Sequence, residues 1–298
     1  GPDAEGIFDG GNMFLGHRRL SIIDLSDRSN QPMFDPERRY AIVFNGEVYN
    51  YQEVRSRLKQ YPFQTDGDTE VVLAAFREWG WSCLEQLKGM FAFAIWDCRE
   101  SRLYLARDRM GVKPLYYYRN EQVFVFASEI RSILSSGLVK RKISLPAIID
   151  YLQYQSFQCP QTIIEDVWEL KAGHYMEIGA GHFKNEAYWS MLDAPVQEHF
   201  SAGEARSKLK ELLLQSVARR MVADVPVAAF LSGGIDSTAV VALMAELAAS
   251  VETFNVSFKD TEFDESQYAQ MVSAKFGTRH HTIITSPEKF LNEFPNAL

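Results

Sequence analysis

Leu231-Ser232-Gly233-Gly234-Ile235-Asp236-Ser237-Thr238 decides how the second half of the chain is built. The run before it, Val225 to Phe230, is short and nearly all apolar, the pattern of a strand buried on both faces. An Ala-rich stretch after it predicts a long helix to about Ala249. Between a strand and a helix, two glycines let backbone approach an anion without Cβ interference. Free N–H groups at the helix start then face that anion, aided by the helix dipole. Ser232, Ser237 and Thr238 add hydroxyl donors, and ligands of open α/β sheets bind beyond the carboxyl ends of strands. The glycine spacing is not that of a Walker A loop or a dinucleotide fingerprint, and no Lys follows. The glycine pair alone equally describes a tight turn whose Ser and Asp cap a helix.

Outward from this loop, Val251 to Phe258 predicts a strand, Ser266 to Phe276 a helix and His281 to Ile284 a strand. Strand-helix-strand-helix-strand is the signature of a parallel α/β sheet. Upstream, Leu209, Leu212, Leu213, Val217 and Met221 follow helical spacing. The polar, irregular stretch from Met191 to Ala202 predicts a linker, which divides the chain into a domain at 1–190 and another at 200–298. A length of 298 residues accommodates two domains.

The first domain is mostly strands. Tyr40 to Phe44 is a short apolar run, and Asn45-Gly46 predicts a turn that stops it. Phe91 to Trp96 and Arg102 to Ala106 flank the polar Asp97 to Ser101 as a hairpin does. Leu115 to Tyr118 and Val123 to Ala127 make a further strand pair. Asp68 is expected as the N-cap of a helix running apolar through Val71, Val72, Ala75 and Phe76. Strands and helices in packed layers describe an α+β domain.

A net charge of -8 gives no footprint for nucleic acid or an anionic membrane surface. No apolar run approaches the ~20 residues that span a bilayer. Cys83, Cys98 and Cys159 are odd in number and widely spaced, so they form neither a disulfide framework nor a zinc pattern. A reduced, cytoplasmic setting and no metal held by side chains alone are expected. Asp264-Glu265 precedes a helix as a capping pair, and His280-His281 lacks metal-ligand spacing.

Longer strings carry a resemblance. Ser-Gly-Gly-Ile-Asp-Ser after an apolar strand resembles the pyrophosphate loop of ATP-pyrophosphatase enzymes. Leu15-Gly16-His17-Arg18-Arg19-Leu20-Ser21-Ile22-Ile23-Asp24, Gln31-Pro32-Met33, Phe44-Asn45-Gly46-Glu47-Val48-Tyr49-Asn50, Thr65-Asp66-Gly67-Asp68-Thr69-Glu70, Gly89-Met90-Phe91-Ala92-Phe93, Ala106-Arg107-Asp108-Arg109-Met110-Gly111-Val112-Lys113-Pro114-Leu115 and Phe126-Ala127-Ser128-Glu129-Ile130 are similar, in order, to the glutaminase region of glutamine-dependent asparagine synthetases. The resemblance spans nearly the whole chain. It implies an αββα Ntn-hydrolase-like glutaminase domain followed by the start of a parallel-sheet ATP-pyrophosphatase domain.

It also implies chemistry. A glutamine substrate needs both ends fixed while its side-chain amide meets a nucleophile. Arg19 is expected to grip the carboxylate with a bidentate fork, and Asp68 to hold the ammonium. Asn45 and Gly46 are expected to donate to the developing oxyanion. Family positions matching Arg19, Ile22, Asn45, Gly46, Glu47 and Asp68 line this pocket. Singly, these residues fit a surface salt bridge, a turn and a helix cap as well. Leu231, Ser232, Gly233, Gly234, Asp236 and Ser237 are expected to hold ATP phosphates, and Val256 to touch the adenine. Mg²⁺ is expected with ATP, because the leaving pyrophosphate needs its charge neutralised.

For the intact enzyme the resemblance implies a ligase of amino-acid biosynthesis. Glutamine is hydrolysed, aspartate is adenylated by ATP, and ammonia displaces AMP to give asparagine; a homodimer is compatible with it. The family's nucleophile, an N-terminal cysteine whose α-amine is the base, is not among these 298 residues. The three cysteines present are expected to be structural, the chain to be truncated at both ends, and the 298 residues alone to be inactive. Rival readings are a β-lactam-forming synthetase, an amidotransferase with another acceptor, and a non-catalytic glutaminase-like module. The first leaves Arg19, Asn45-Gly46 and Asp68 without work to do.

Overall fold

The computed structural model describes residues 1–193, 200–258 and 264–297. They belong to two compact units, Gly1–Val196 and Gln197–Leu298. The first unit begins with β1 (Ala4–Asp9), β2 (Phe14–Arg19), β3 (Met33–Phe34) and β4 (Tyr40–Val48). Three helices follow, α1 (Tyr51–Arg57), α2 (Asp68–Trp79) and α3 (Cys83–Gln86). Then come β5 (Gly89–Asp97), β6 (Arg102–Arg107), β7 (Tyr116–Arg119), β8 (Phe124–Ala127), α4 (Ile130–Ser135) and α5 (Leu145–Tyr154). The unit closes with β9 (Val167–Glu169), β10 (His174–Gly179) and β11 (His182–Ala187).

Six strands form an antiparallel sheet in the order β11-β10-β6-β5-β4-β3. Strand side chains alternate between faces, so each strand serves two cores. Ile42 and Phe44 of β4 and Phe91, Phe93 and Ile95 of β5 pack on one face with Val71, Val72 and Leu73 of α2. Ala41, Val43, Ala92, Ala94 and Trp96 pack on the other, with Leu15 of β2 and with Phe124 and Phe126 of β8. The three-stranded sheet β8-β7-β9 alternates in turn. Its Val125, Ala127, Tyr116 and Tyr118 turn away and pack with Ile133 of α4. Helix, sheet, sheet and helix layers therefore build the expected αββα domain, and burial on both faces explains the near-continuous apolar runs in an antiparallel sheet.

Two local expectations fail here. Asn45-Gly46 is no turn: β4 runs through it to Val48, with Asn45 opposite Ala92 and Gly46 opposite Phe91. The glycine is there for close approach, because a Cβ on Gly46 would lie 2.2 Å from the Met90 carbonyl oxygen. Asp68 is not the N-cap of α2 either. Gly67 is, without a side-chain cap bond, and Asp68 is the first helical residue. Its carboxylate reaches across to β4 instead.

The second unit contains α6 (Ala202–Arg220), β12 (Ala228–Phe230), α7 (Ile235–Leu247), β13 (Glu252–Phe258), α8 (Ser266–Phe276), β14 (Arg279–Thr285) and α9 (Pro287–Ala297). The three strands are parallel in the order β12-β13-β14, the α/β pattern expected. A capping box between Ser201 and Glu204 starts α6 inside the stretch assigned to a linker, of which 194–199 lie outside the described residues. One expectation is corrected: β12 is three residues long and not buried on both faces. Phe230 is 83% exposed. Among the described residues β12 pairs only with β13, so it is a sheet edge.

Candidate functional site

The first site grows from an unfinished sheet edge. β3 is two residues long and pairs with Ala41 and Ile42, so beyond them the edge of β4 away from β5 has no strand partner among the described residues. Alternate backbone groups still face that edge, and side chains satisfy them. The Phe44 N–H donates to Gln31 Oε1 at 2.6 Å, and the Phe44 carbonyl meets His17 Nε2 at 3.1 Å. Four residues on, the Val48 N–H donates to Asp68 Oδ2 at 2.8 Å. Gly46 is the alternate residue between those two anchored positions. The intervening parity faces β5: the Tyr49 N–H donates to the Lys88 carbonyl at 2.9 Å.

A cavity of ≈ 420 Å³ opens along this edge. Its lining brings together all six residues expected around glutamine: Arg19, Ile22, Asn45, Gly46, Glu47 and Asp68. Arg19 is buried, and its fork is turned on the protein's own loop. Nη1 donates to the Ser26 carbonyl at 2.9 Å and to Asn30 Oδ1 at 3.0 Å, and Nη2 to the carbonyls of Ile23 and Asp24. The guanidinium thus shapes the 23–30 loop beside the cavity while keeping its charge there. Asn45 donates from Nδ2 to Ser128 Oγ at 3.2 Å.

Burial raises the Asp68 carboxyl to about 6, against the Val48 N–H and the Arg19 charge, which favour the carboxylate. Burial lowers the His17 imidazole, against its bond to the Phe44 carbonyl. A neutral ring with Nε2–H donating leaves Nδ1 as an acceptor, and that buried atom has no partner among the described residues. His17, Gln31, Met90, Lys113 and Ser128 were not singled out from the sequence, although all lie within the quoted strings. The first four line the cavity, and Ser128 reaches it through Asn45. Arg107 and Asp108 hold the neighbouring loop, Asp108 accepting the N–H groups of Phe91 at 3.1 Å and Lys113 at 3.0 Å.

The cysteines lie elsewhere. Cys83 is buried, which pushes its thiol up. Cys98 is exposed after β5, and partial burial beside Glu169 pushes the Cys159 thiol to about 11. None of the three lines the cavity along β4.

The second site is the turn from β12 into α7. Leu231 is buried and anchors both sides of it: its N–H donates to the Phe254 carbonyl at 2.8 Å, and its carbonyl accepts Asn255 Nδ2 at 3.0 Å. Asn255 is a further residue that sequence reasoning missed; a strand-interior Asn is its only signal. Ser232 Oγ and Ser237 Oγ are 3.0 Å apart across the loop. Gly233 has a φ of +85°, and a Cβ there would lie 2.4 Å from Tyr268 Cβ of α8. Gly234 is the N-cap of α7 and supplies no side-chain cap, so the first-turn N–H groups face outward beside exposed Asp236. Val256 is 45% exposed on β13. Asp264 accepts the Ser266 N–H, and His280 and His281 bond Thr253 and Glu252. No group of three or more His, Cys, Asp or Glu suited to a metal occurs among the described residues.

Comparison with known proteins follows the same division. Residues 1–189 match the model of a glutamine amidotransferase domain, and residues 208–298 that of asparagine synthase. "Asparagine synthetase [glutamine-hydrolyzing] 1" of Bacillus subtilis (strain 168) is 38% identical over 99% of this chain and 46% of its own length. "Asparagine synthetase [glutamine-hydrolyzing] 3" of the same organism is 29% identical over 100% and 51%. "Amidase chry2" of Gibberella zeae is 33% identical over 99% and 46%. The chain therefore spans about half the length of these relatives. Among solved structures, the glutamine phosphoribosylpyrophosphate amidotransferase of B. subtilis is similar at 18% identity and a TM-score of 0.43, over 90% of this chain and 50% of that one. No helix among the described residues is long and apolar enough to cross a membrane.

Proposed function

The chain belongs to the glutamine amidotransferase domain family, and we propose that its first unit releases ammonia from glutamine for an ATP-dependent amidation begun on the second. One observation carries this reading: the β4 edge stays open at Gly46, between the anchored Phe44 and Val48, inside a cavity that also holds Asn45, Asp68 and Arg19. Asp68 takes the substrate ammonium, and Arg19 takes its carboxylate by exchanging part of its hold on the 23–30 loop. That leaves the side-chain amide at Asn45 and Gly46, whose N–H groups stabilise negative charge on the amide oxygen. A thiolate, supplied as the family resemblance implies by an N-terminal cysteine outside these residues, attacks the amide carbon. The α-amine that took the thiol proton returns it to the amide nitrogen, and the tetrahedral oxyanion collapses to a thioester with loss of ammonia. Water then cleaves the thioester to glutamate.

In the second unit, Ser232 to Ser237 cradles the phosphates of ATP, and Val256 lies against the adenine. The fit rests on the missing Cβ atoms, the uncapped start of α7 and the two hydroxyls. Mg²⁺ would accompany ATP in this reading, with Asp236 as the nearby carboxylate, and would neutralise charge on the leaving pyrophosphate. Bound ATP would adenylate a carboxylate with loss of pyrophosphate, and ammonia would displace AMP. Aspartate is the acceptor this reading favours, giving asparagine through β-aspartyl-AMP. The likeness to a protein named an amidase supports a second reading, another carboxylate in that place.

The test uses a full-length protein carrying this sequence. Glutamate release from glutamine and pyrophosphate release from ATP with aspartate and ammonia are measured separately. Asp68→Ala should impair the first and spare the second, and Asp236→Ala the reverse. Equal loss of both activities in either variant overturns the division of labour. Pyrophosphate release with other carboxylates but not aspartate establishes the second reading.

A further inference from the structure

We infer that Ser128 is a positioning residue that holds the Asn45 carboxamide against rotation beside the oxyanion site. The inference rests on the role proposed above for Asn45. An Asn side chain ends in a broad, roughly two-fold torsion, so its amide plane swings at little cost unless a neighbour hydrogen-bonds it. The orientation matters at an oxyanion site. An N–H stabilises the developing charge, and the carbonyl oxygen in its place repels it.

Asn45 is a strand residue, but strand geometry fixes only its Cβ direction. The carboxamide is fixed by Ser128 Oγ, which accepts from Nδ2 at 3.2 Å. Nδ2 carries two protons. One goes to Ser128, and the trigonal nitrogen then directs the other about 120° away, where it remains available to a ligand. Ser128 is held independently of the cavity. It follows β8, whose last residue Ala127 pairs with Tyr116, and precedes Glu129, the N-cap of α4. The contact spans 83 residues of sequence, so it reports on the register between the second sheet layer and β4.

Ser128→Ala removes the acceptor and little volume. Glutamine itself is held at Asp68 and Arg19, so its KM should stay within about twofold, while kcat for glutamate release falls about tenfold, the scale of one ordinary hydrogen bond. Ser128→Thr keeps a hydroxyl and should restore most of the loss. Asn45→Ala removes the donor itself and should lower kcat by about 10²–10³. In that background Ser128→Ala should add nothing, because no amide remains to orient. Thermal melts of each variant identify simple unfolding, and the Thr variant keeps the question open to measurement if Ala fails to fold. The inference is overturned by losses that add, by a raised KM with unchanged kcat, or by a Thr variant as impaired as Ala. If Asn45→Ala is itself silent, the oxyanion role falls and this inference with it; if only Ser128→Ala is silent, the oxyanion role stands and this inference alone fails.

Discussion

Asp68 and Val48 are joined by a 2.8 Å hydrogen bond, from the backbone N–H at the end of β4 to the carboxylate at the start of α2. The bond satisfies one exposed edge donor and aims a buried charge into the cavity that Gly46 lines. Burial holds that carboxyl at about 6 rather than 3.8.

A pH dependence follows. Folding raises this pKa, so the folded protein binds the Asp68 proton more tightly than the unfolded chain. The resulting stability is present in full below the unfolded value of 3.8 and is lost as pH rises through about 6. With Asp68 in its proposed role, glutamine capture runs the other way, since only the carboxylate pairs with an ammonium. The KM for glutamine should climb by up to about tenfold per pH unit below the folded pKa. Asp68→Asn keeps an acceptor for Val48 and should give a high KM with no such slope. A wild-type KM that is flat across this range would remove Asp68 from ammonium binding.

Gly46→Ala should be severe for a different reason. Its Cβ would meet backbone, 2.2 Å from the Met90 oxygen and 2.7 Å from Phe91 Cα, and backbone in a two-faced sheet cannot swing aside. A loss of about 1–3 kcal/mol in denaturant titration is expected, the scale of overpacking in a core. Unchanged stability would show that β4 and β5 do not approach this closely.

Arg19→Lys separates charge from geometry. Lys keeps the cation but has no planar fork, so the carbonyls of Ser26, Ile23 and Asp24 lose fixed donors. Stability should fall by about 1–3 kcal/mol, with a raised glutamine KM. A raised KM at wild-type stability would mean that the loop bonds are dispensable.

Gly233→Ala should damage the second unit alone. The residue sits at φ +85°, and the added carbon would collide with Tyr268 and the Ala269 nitrogen of α8. ATP-dependent pyrophosphate release should drop sharply while glutamate release persists. Retention of both activities would rule out a tight approach of loop and helix during turnover.

The cysteines offer a final check. Cys98→Ser and Cys159→Ser should leave glutamate release by the full-length protein unchanged, since neither thiol lines the cavity and both are raised above their ordinary value. Loss of turnover in either variant would relocate the nucleophile.

The failures of sequence reading share a cause. Asn45-Gly46 has the local chemistry of a turn, and only the pairing with Ala92 and Phe91 keeps it extended. Asp68 has the chemistry of an N-cap, and only the unpaired Val48 N–H draws it elsewhere. Val225 to Phe230 has the apolarity of a buried strand, yet burial depends on neighbours, and among the described residues β12 pairs with β13 alone. Each was a local preference whose outcome depended on residues distant in sequence.

Alternation and helical spacing, being properties of consecutive residues, determined the layered first unit, the parallel second unit and the Gly-rich turn between β12 and α7. Motif strings also named six residues that meet in one cavity. Tertiary structure alone decided that Phe44 is anchored by Gln31 and His17, that Arg19 grips the 23–30 loop, and that Asn45 leans on Ser128. Those partners lie 4 to 83 residues apart in the chain. The orientation of a polar group depends on what stands within about 3 Å of it, and chain folding rather than local pattern selects that neighbour.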